Sequence, residues 1–430
     1  MRKMKDSGIP WIGEIPADWS IVKIKAGVHK VGSGKTPSGG ATSYADEGVL
    51  FLRSQNVYDT GLELSNPAYI TPEVDEEMKG TRVFPNDVLL NITGGSIGRC
   101  CIFPESLETA NVNQHVSIIR VDERVFLPEF MHYYWISPLG SIAISLYQTG
   151  GNREGMSAEA IKNTPIILMP LEEQKRICKL LDAKCAEIDA VLDKTRTSIE
   201  EYKKLKQAII TQAVTKGIRG DRPMKESGVI WLNTVPADWA INKIKYTIFP
   251  QEKPVLPMDE VITCFRDGTV TLRRNRREEG FTVSFTENGY QGVDIGDLVI
   301  HGMDTFAGAI GCSDSRGKIS PVVHVCSTVG NNRYFMYFLR YMAYSGVLMD
   351  FSNGVRIRSS DFRNFKKLAV FEMLVPPLEE QDKIVDYLDS TLAKIDQVIK
   401  QKEILISELE VCKKSTIYEY VTGKKEVYET

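Results

Sequence analysis

The stretch PLEEQKRICKLLDAKCAEIDAVLDKTRTSIEEYKKLKQAIITQAVTKG, Pro170 to Gly217, returns near the C-terminus as PLEEQDKIVDYLDSTLAKIDQVIKQKEILISELEVCKKSTIYEYVTG. Leu171 corresponds to Leu378, an offset of 207 that holds without a gap as far as Thr215 and Thr422, the closing glycines lying 206 apart. In each copy Pro stands just before the start and Gly at the end, the asymmetry of one uninterrupted helix. In the second copy Ile384, Leu388, Thr391, Ile395, Val398, Lys402, Leu405, Leu409, Cys412 and Thr416 fall at alternating steps of four and three, a heptad seam. Ile177, Leu181, Lys184, Ile188, Val191, Thr195, Ser198, Tyr202, Leu205 and Ile209 take the same places in the first. At ~1.5 Å per residue each helix is on the order of 65 Å long, too long for one compact domain. The simplest way to bury both stripes is against each other within one chain.

A second repeat frames the chain. MKDSGIPWIGEIPADWSIVKIK at Met4 to Lys25 returns as MKESGVIWLNTVPADWAINKIK at Met224 to Lys245, an offset of 220. The order is globular segment, helix, globular segment, helix. Frame start to helix start covers 167 positions in the first half and 154 in the second, and between these shared ends little sequence is common. The frame of a duplication was kept while its contents diverged, which predicts a pseudo-twofold arrangement with the chain ends close together. In the first segment GVLFLRS, NDVLLNIT and HVSIIRV read as strands between Gly, Pro and Asn clusters, followed by helical PEFMHYYWISPLGSIAISLYQ. GFTVSF, GDLVIHG and PVVHVCS, then NRYFMYFLRYMAYSGVLMDF, repeat that order in the second. Each segment is expected to be a mixed α+β domain on a twisted, largely antiparallel sheet.

Composition narrows the function. With 43% hydrophobic and 25% charged residues the chain is an ordinary globular one, no apolar run reaches the ~20 residues of a membrane span, and the start lacks a signal-peptide core, so a cytoplasmic location is expected. Eight cysteines form no CxxC pair, so no zinc ribbon or disulfide framework is indicated. The formal net charge of −3 argues against nucleic-acid binding over the whole surface and leaves local basic patches. GSGKT at Gly32 to Thr36 lacks the leading Gly of a phosphate loop, having His29 there, and Pro37 stands where its helix would begin. NPAY at Asn66 to Tyr69 reads as a turn, with no glycine-rich cofactor loop beside it. Five histidines form no HExxH, and no Ser or Cys nucleophile motif is present. The expectation is a chain without catalysis and without a metal site.

What remains is polar and turn-borne: Arg53, Ser54, Gln55 and Asn56; Asn91, Thr93, Ser96 and Arg99; Asn113, Gln114 and His115; Asn152 and Arg153. Arg, Asn and Gln can pair bidentately with base edges, and Gly lets backbone approach phosphate. The second segment offers Arg273, Arg274, Arg276 and Arg277, His301 in GDLVIHG, and Arg356 and Arg358 followed by Arg363, Lys366 and Lys367. A charge run is commonly a solvated face, but one set per repeat in a chain of negative net charge points to DNA.

The LEEQ-type helix openings, the IPADW and VPADW frames, NDVLLNITGGSIGRC with its downstream NQH, and GDLVIHGMDTFAGAIGCS together resemble the DNA-specificity subunit of type I restriction-modification systems. The resemblance covers essentially the whole chain and rests on the duplicated order of the motifs. It implies target-recognition domains at 1–165 and 220–372, spacer helices at 166–219 and 373–430, and an antiparallel helix pair holding the domains apart. It implies a non-catalytic reader of an asymmetric, split double-stranded DNA target. Two methyltransferase subunits would bring S-adenosylmethionine, and restriction subunits would bring ATP- and Mg-dependent translocation and cleavage. Two other classes fit parts of the pattern: a specificity module fused to a methyltransferase or nuclease, for which the remaining length is too short, and a coiled-coil adaptor binding protein. Salt separates the adaptor from the reader, because only phosphate contacts release counterions.

Overall fold

The computed structural model describes residues 2–148, 155–276, 288–350 and 362–427. The chain forms two compact units, Met1–Thr195 with Ile404–Thr430, and Arg196–Glu403. The long helices are Leu171–Lys216 and Leu378–Val421, each opening with two glutamates that suit the positive end of a helix dipole. Both unit boundaries fall inside these helices rather than at their ends. Each unit therefore combines one globular segment with the opening turns of one long helix and the closing turns of the other.

In the first unit a four-stranded antiparallel sheet has the order Cys100–Ile102, Val88–Asn91, Val116–Val121, Val28–Ser33. In the second unit the order is Ile310–Cys312, Leu298–His301, Val323–Thr328, Ile248–Pro250. The strands correspond one for one, so the duplication extends into sequence where no repeat is visible. One face of each sheet carries a helix rich in aromatics, Pro128–Ile136 or Asn332–Tyr344. The first of these breaks at Ser137, whose side chain caps a second helix, Pro138–Tyr147. Two further antiparallel pairs recur, Met4–Asp6 with Glu14–Pro16 as Met224–Glu226 with Thr234–Pro236, and Ser20–Lys23 with Pro165–Leu168 as Ala240–Lys243 with Glu372–Val375, and the strands left over differ between units. The first has a mixed sheet in which Val49–Leu52 pairs parallel to Ala110–Val112, while the second has two small antiparallel pairs, Ile262–Cys264 with Val270–Leu272 and Gln291–Val293 with Gly317–Ile319. A single largely antiparallel sheet per domain was expected, and each unit instead has several small sheets, with one parallel pair in the first.

Both cores are assembled in the same way. Trp19, Phe130 and Tyr134 bury against Ile177, Leu181 and Cys185 at the start of the first long helix and Ile417, Tyr420 and Val421 at the end of the second. In the other unit Trp239, Tyr334 and Phe338 bury against Ile384, Leu388 and Leu392 and against Ile210, Ala213 and Val214. The helix motif LEEQ has a local reason. The Trp19 indole donates to Glu173 at 3.0 Å, Arg2 pairs with Glu173 and, at 2.7 Å, with Asp18, and the guanidinium lies 4.8 Å over the indole ring. Trp239, Glu380, Arg222 and Asp238 repeat the arrangement, with indole to carboxylate at 2.9 Å and Arg222 to Asp238 at 2.6 Å. The motif's glutamine ties down the chain entering the aromatic helix: Gln174 accepts from the Leu127 amide at 2.9 Å, and Gln381 from that of Asn331 at 2.9 Å. Gly217 and Gly423 end the two helices at φ +77° and +68°, and a Cβ there would lie 3.3 Å from Trp239 and 2.7 Å from Trp19. Only glycine meets both the backbone and the packing demand.

The heptad seam differs from its expected phase. Half-buried or buried positions run Cys178, Leu181, Cys185, Ile188, Leu192, Thr195, Ile199, Tyr202, Lys206 in the first helix and Val385, Leu388, Leu392, Ile395, Ile399, Lys402, Ile406, Leu409, Lys413 in the second. Every other expected position is right, and the alternate ones lie one residue later. Val191, Leu205 and Leu405 are 45%, 45% and 40% exposed, whereas Leu192 is 3% exposed. Val398 is half-buried, as is Ile209, and Ile177 and Ile384 turn into the globular cores. The reason is that apolar residues stand side by side at Val191–Leu192, Val398–Ile399 and Leu405–Ile406, and the row continuous with the globular core takes the seam.

Candidate nucleic-acid interface

Strand register brings the polar loops of the first unit to one edge. Asn91 is opposite Val116, Ser117 opposite Ser33, and Leu52 beside Val112, so five strand ends meet there. Backbone bonds fasten the loops together: Gly34 N–H to Val116 O and Asn113 N–H to Leu52 O, both 3.0 Å, and Ile92 N–H to His115 O at 3.0 Å. At Gly34 a Cβ would sit 1.9 Å from the Val112 carbonyl oxygen, which explains the glycine of GSGKT as close backbone approach rather than phosphate binding. Gly155 bridges to Thr93, bringing the following segment to the same edge.

Side chains at this edge fall into two groups. Thr93 Oγ1 lies 2.6 Å from His115 Nδ1, Gln114 Nε2 lies 3.2 Å from His115 Nε2, and Thr36 Oγ1 bonds Gln114 Oε1. Arg99 lies 4.4 Å over the Tyr58 ring, a cation stacked on an aromatic face. Arg53 donates to Asn66 O at 2.8 Å and sits 5.8 Å over Tyr44. Ser54 and Ser96 belong to short 3-10 turns, and Gln55 is exposed. Asn56 and Asn91, both expected at the DNA, point inward. Asn56 is 3% exposed and links the Arg53 amide to Glu63 O, while Asn91 is fully buried and donates to Ser54 O at 2.8 Å. Their amide N–H groups brace turns by donating to backbone carbonyls, while the Asn91 Oδ1 is buried with no partner among the described residues. Asn113 does similar work, its Oδ1 accepting from the His115 amide at 3.1 Å. Asn152 and Arg153 lie outside the described residues.

In the second unit the expected arginine run is not a bare cationic patch. Arg274 pairs with Glu260 at 2.7 Å, Arg276 pairs with Asp267 at 2.6 Å and lies 4.4 Å over Phe265, and Arg273 Nε reaches Thr263 Oγ1 at 3.4 Å. Burial works against the Asp267 charge, yet the bonds from Arg276 and the Thr269 N–H outweigh it and hold its pKa at about 2. Arg266 continues the chain of contacts to Asp304 at 2.9 Å, and the amides of Met303 and Asp304 donate to His301 Nδ1 at 3.3 and 3.1 Å. His301 thus organises the turn after its strand. Arg277, Arg356 and Arg358 lie outside the described residues. Sequence reasoning missed Thr36, Tyr44, Tyr58, Phe265 and Arg266. For Thr36 the signal was GSGKT directly after a strand, and for the aromatics it was their spacing around the arginines.

Among the described residues no group of three or more His, Cys, Asp or Glu could hold a metal ion, and no helix is long and apolar enough to cross a membrane. A family model described as the type I restriction modification DNA specificity domain matches residues 16–201. A chain assigned as the type I restriction enzyme MjaX specificity subunit of Methanocaldococcus jannaschii is 22% identical over 96% of this chain and 95% of its own length. The type I restriction enzyme EcoBI specificity subunit of Escherichia coli is 24% identical over 50% of this chain and 46% of its own. A solved structure titled for complex assembly and conformational transition of the type I R-M system superposes with a TM-score of 0.70 at 16% identity, covering 96% of this chain and 99% of that one. The chain thus carries a match to this specificity domain over residues 16–201 and is similar along most of its length to a type I restriction enzyme specificity subunit.

Proposed function

We propose that this chain reads an asymmetric, two-part DNA target for a type I restriction-modification assembly and is not itself an enzyme. The observation that carries this reading is one sheet order used twice with different loops around it. Equal readers related by a twofold take a palindrome, whereas unequal ones take two unrelated half-sites. The methylating subunits, two per chain, bring S-adenosylmethionine and act on adenine. Restriction subunits bring the ATP- and Mg-dependent steps. Apolar side chains exposed on the long helices, Val191, Leu205, Leu405 and Val411, are the surfaces we assign to the partner subunits.

Long-read mapping of methylated adenines in a host carrying the chain with its partners tests the reading. A split, non-palindromic site is expected, and a perfect inverted repeat overturns the two-reader assignment. The purified chain alone is expected to transfer no methyl group.

A further inference from the structure

We infer that Gln114 reads an adenine edge in the half-site taken by the first unit, positioned by Thr36, His115 and Thr93. The inference rests on the DNA-reading assignment and concerns which base this loop selects. Gln114 is exposed, yet its amide is held at both ends, Oε1 by the Thr36 hydroxyl and Nε2 by His115 Nε2 at 3.2 Å. An amide nitrogen only donates, so His115 Nε2 accepts, and its Nδ1 carries the proton that is shared with Thr93 Oγ1 at 2.6 Å. The relay spans three loops whose backbones are already tied to one another, so the glutamine is ordered before DNA arrives.

Each end of the amide keeps one unused site: a lone pair on Oε1 and an N–H on Nε2. Adenine offers a matching pair in the major groove, the N6 donor and the N7 acceptor. Guanine offers two acceptors, cytosine one donor, and thymine one acceptor and a methyl group. Only adenine satisfies both free sites of Gln114. A glutamine free in solvent would lose side-chain entropy on forming such a pair, and here the relay has already removed that freedom.

The test maps methylated sites in cells carrying the assembled complex with wild-type chain, Gln114→Ala, Gln114→Glu, Thr36→Val or Thr93→Val. Gln114→Ala should make one A·T position of one half-site degenerate, lowering discrimination there by roughly tenfold to a hundredfold. Gln114→Glu, an acceptor only, should move that position towards C·G. Thr36→Val and Thr93→Val should blur the same position without changing its base, and the other half-site should stay sharp in all four variants. A half-site with no A·T pair beyond the methylated one, or an alanine variant that leaves every position sharp, overturns the inference while the DNA-reading assignment stands. Threonine variants that leave the position sharp overturn the positioning relay. If the wild-type complex directs no methylation, the DNA-reading assignment fails and takes this inference with it.

Discussion

Lys413 holds its ammonium 2.7 Å from both carboxylate oxygens of Asp189, across the helix seam of the first unit. Asp396 and Lys206, which pair across the seam of the second unit, are the same two residues moved by the 207-residue repeat. A lysine at a seam position gives up apolar burial and selects the register in which its aspartate stands opposite.

Lys413→Glu should therefore lower the stability of the first unit by about 2 kcal/mol. The side chains are 16% and 32% exposed, between the fully buried case of ~3–5 kcal/mol and the exposed case of ~0–1 kcal/mol. Adding Asp189→Lys should restore most of the loss. Denaturant unfolding of the two single variants and the double swap measures the coupling, and additive losses would show that the pair does not set the register.

The two tryptophan latches should differ in strength. Arg222 and Glu380 are 8% and 5% exposed, against 21% and 19% for Arg2 and Glu173. Glu380→Ala leaves a buried guanidinium short of a partner and should cost about 3 kcal/mol, while Glu173→Ala should cost ~1–2 kcal/mol. Thermal unfolding of the two variants compares them directly.

The seam phase can be checked by neighbouring substitutions. Leu192→Ala should destabilise by about 2–4 kcal/mol and Val191→Ala by under ~0.5 kcal/mol. Equal effects would return the seam to the phase read from sequence.

His132 packs 5.4 Å from the Tyr133 ring, and its Nδ1 is buried with no hydrogen-bond partner among the described residues. Burial, aided by the Lys413 charge, lowers its pKa from 6.5 to about 4. The unfolded chain then takes up a proton below pH 6.5 that the folded chain refuses until about pH 4, so stability is full above this window and falls as pH drops through it. His132→Phe should lessen the loss between pH 7 and 4.5 by on the order of 2 kcal/mol, read as the difference in unfolding midpoints.

Lys35 is exposed beside the Gln114 relay. If it meets a phosphate, Lys35→Ala should weaken binding to all sequences alike and reduce the slope of log K against log salt by about one. An unchanged slope would place Lys35 away from the backbone.

The long helices were legible almost to the residue, because Pro170 and Gly217 mark the ends of one and Pro377 and Gly423 those of the other. The frame repeats were legible too, since the latch fixes Trp19, Trp239, Glu173 and Glu380 in identity. The shared sheet order was not, because a buried strand needs only apolar side chains in register: Leu89 and Val299 do the same work in unlike sequences. Seam phase was hidden wherever two apolar residues stood side by side. At the candidate nucleic-acid edge the residue types were readable and their direction was not. Asn91 and Gln114 carry the same amide, and only the register of the strands behind them turns one inward and the other out.

The shared core of the first unit also has a consequence for the order of events on the ribosome. Everything the second unit needs lies within residues 196–403, whereas the first unit needs Ile417, Tyr420 and Val421 from the far end of the chain. The segment made first is completed last. At roughly 5–20 residues per second, Trp19 waits on the order of 20–80 s for those side chains. During that interval Ile177 and Leu181 lack the apolar partners that cover them in the folded chain, so a chain stalled before Ile417 should expose them to aggregation or chaperone capture.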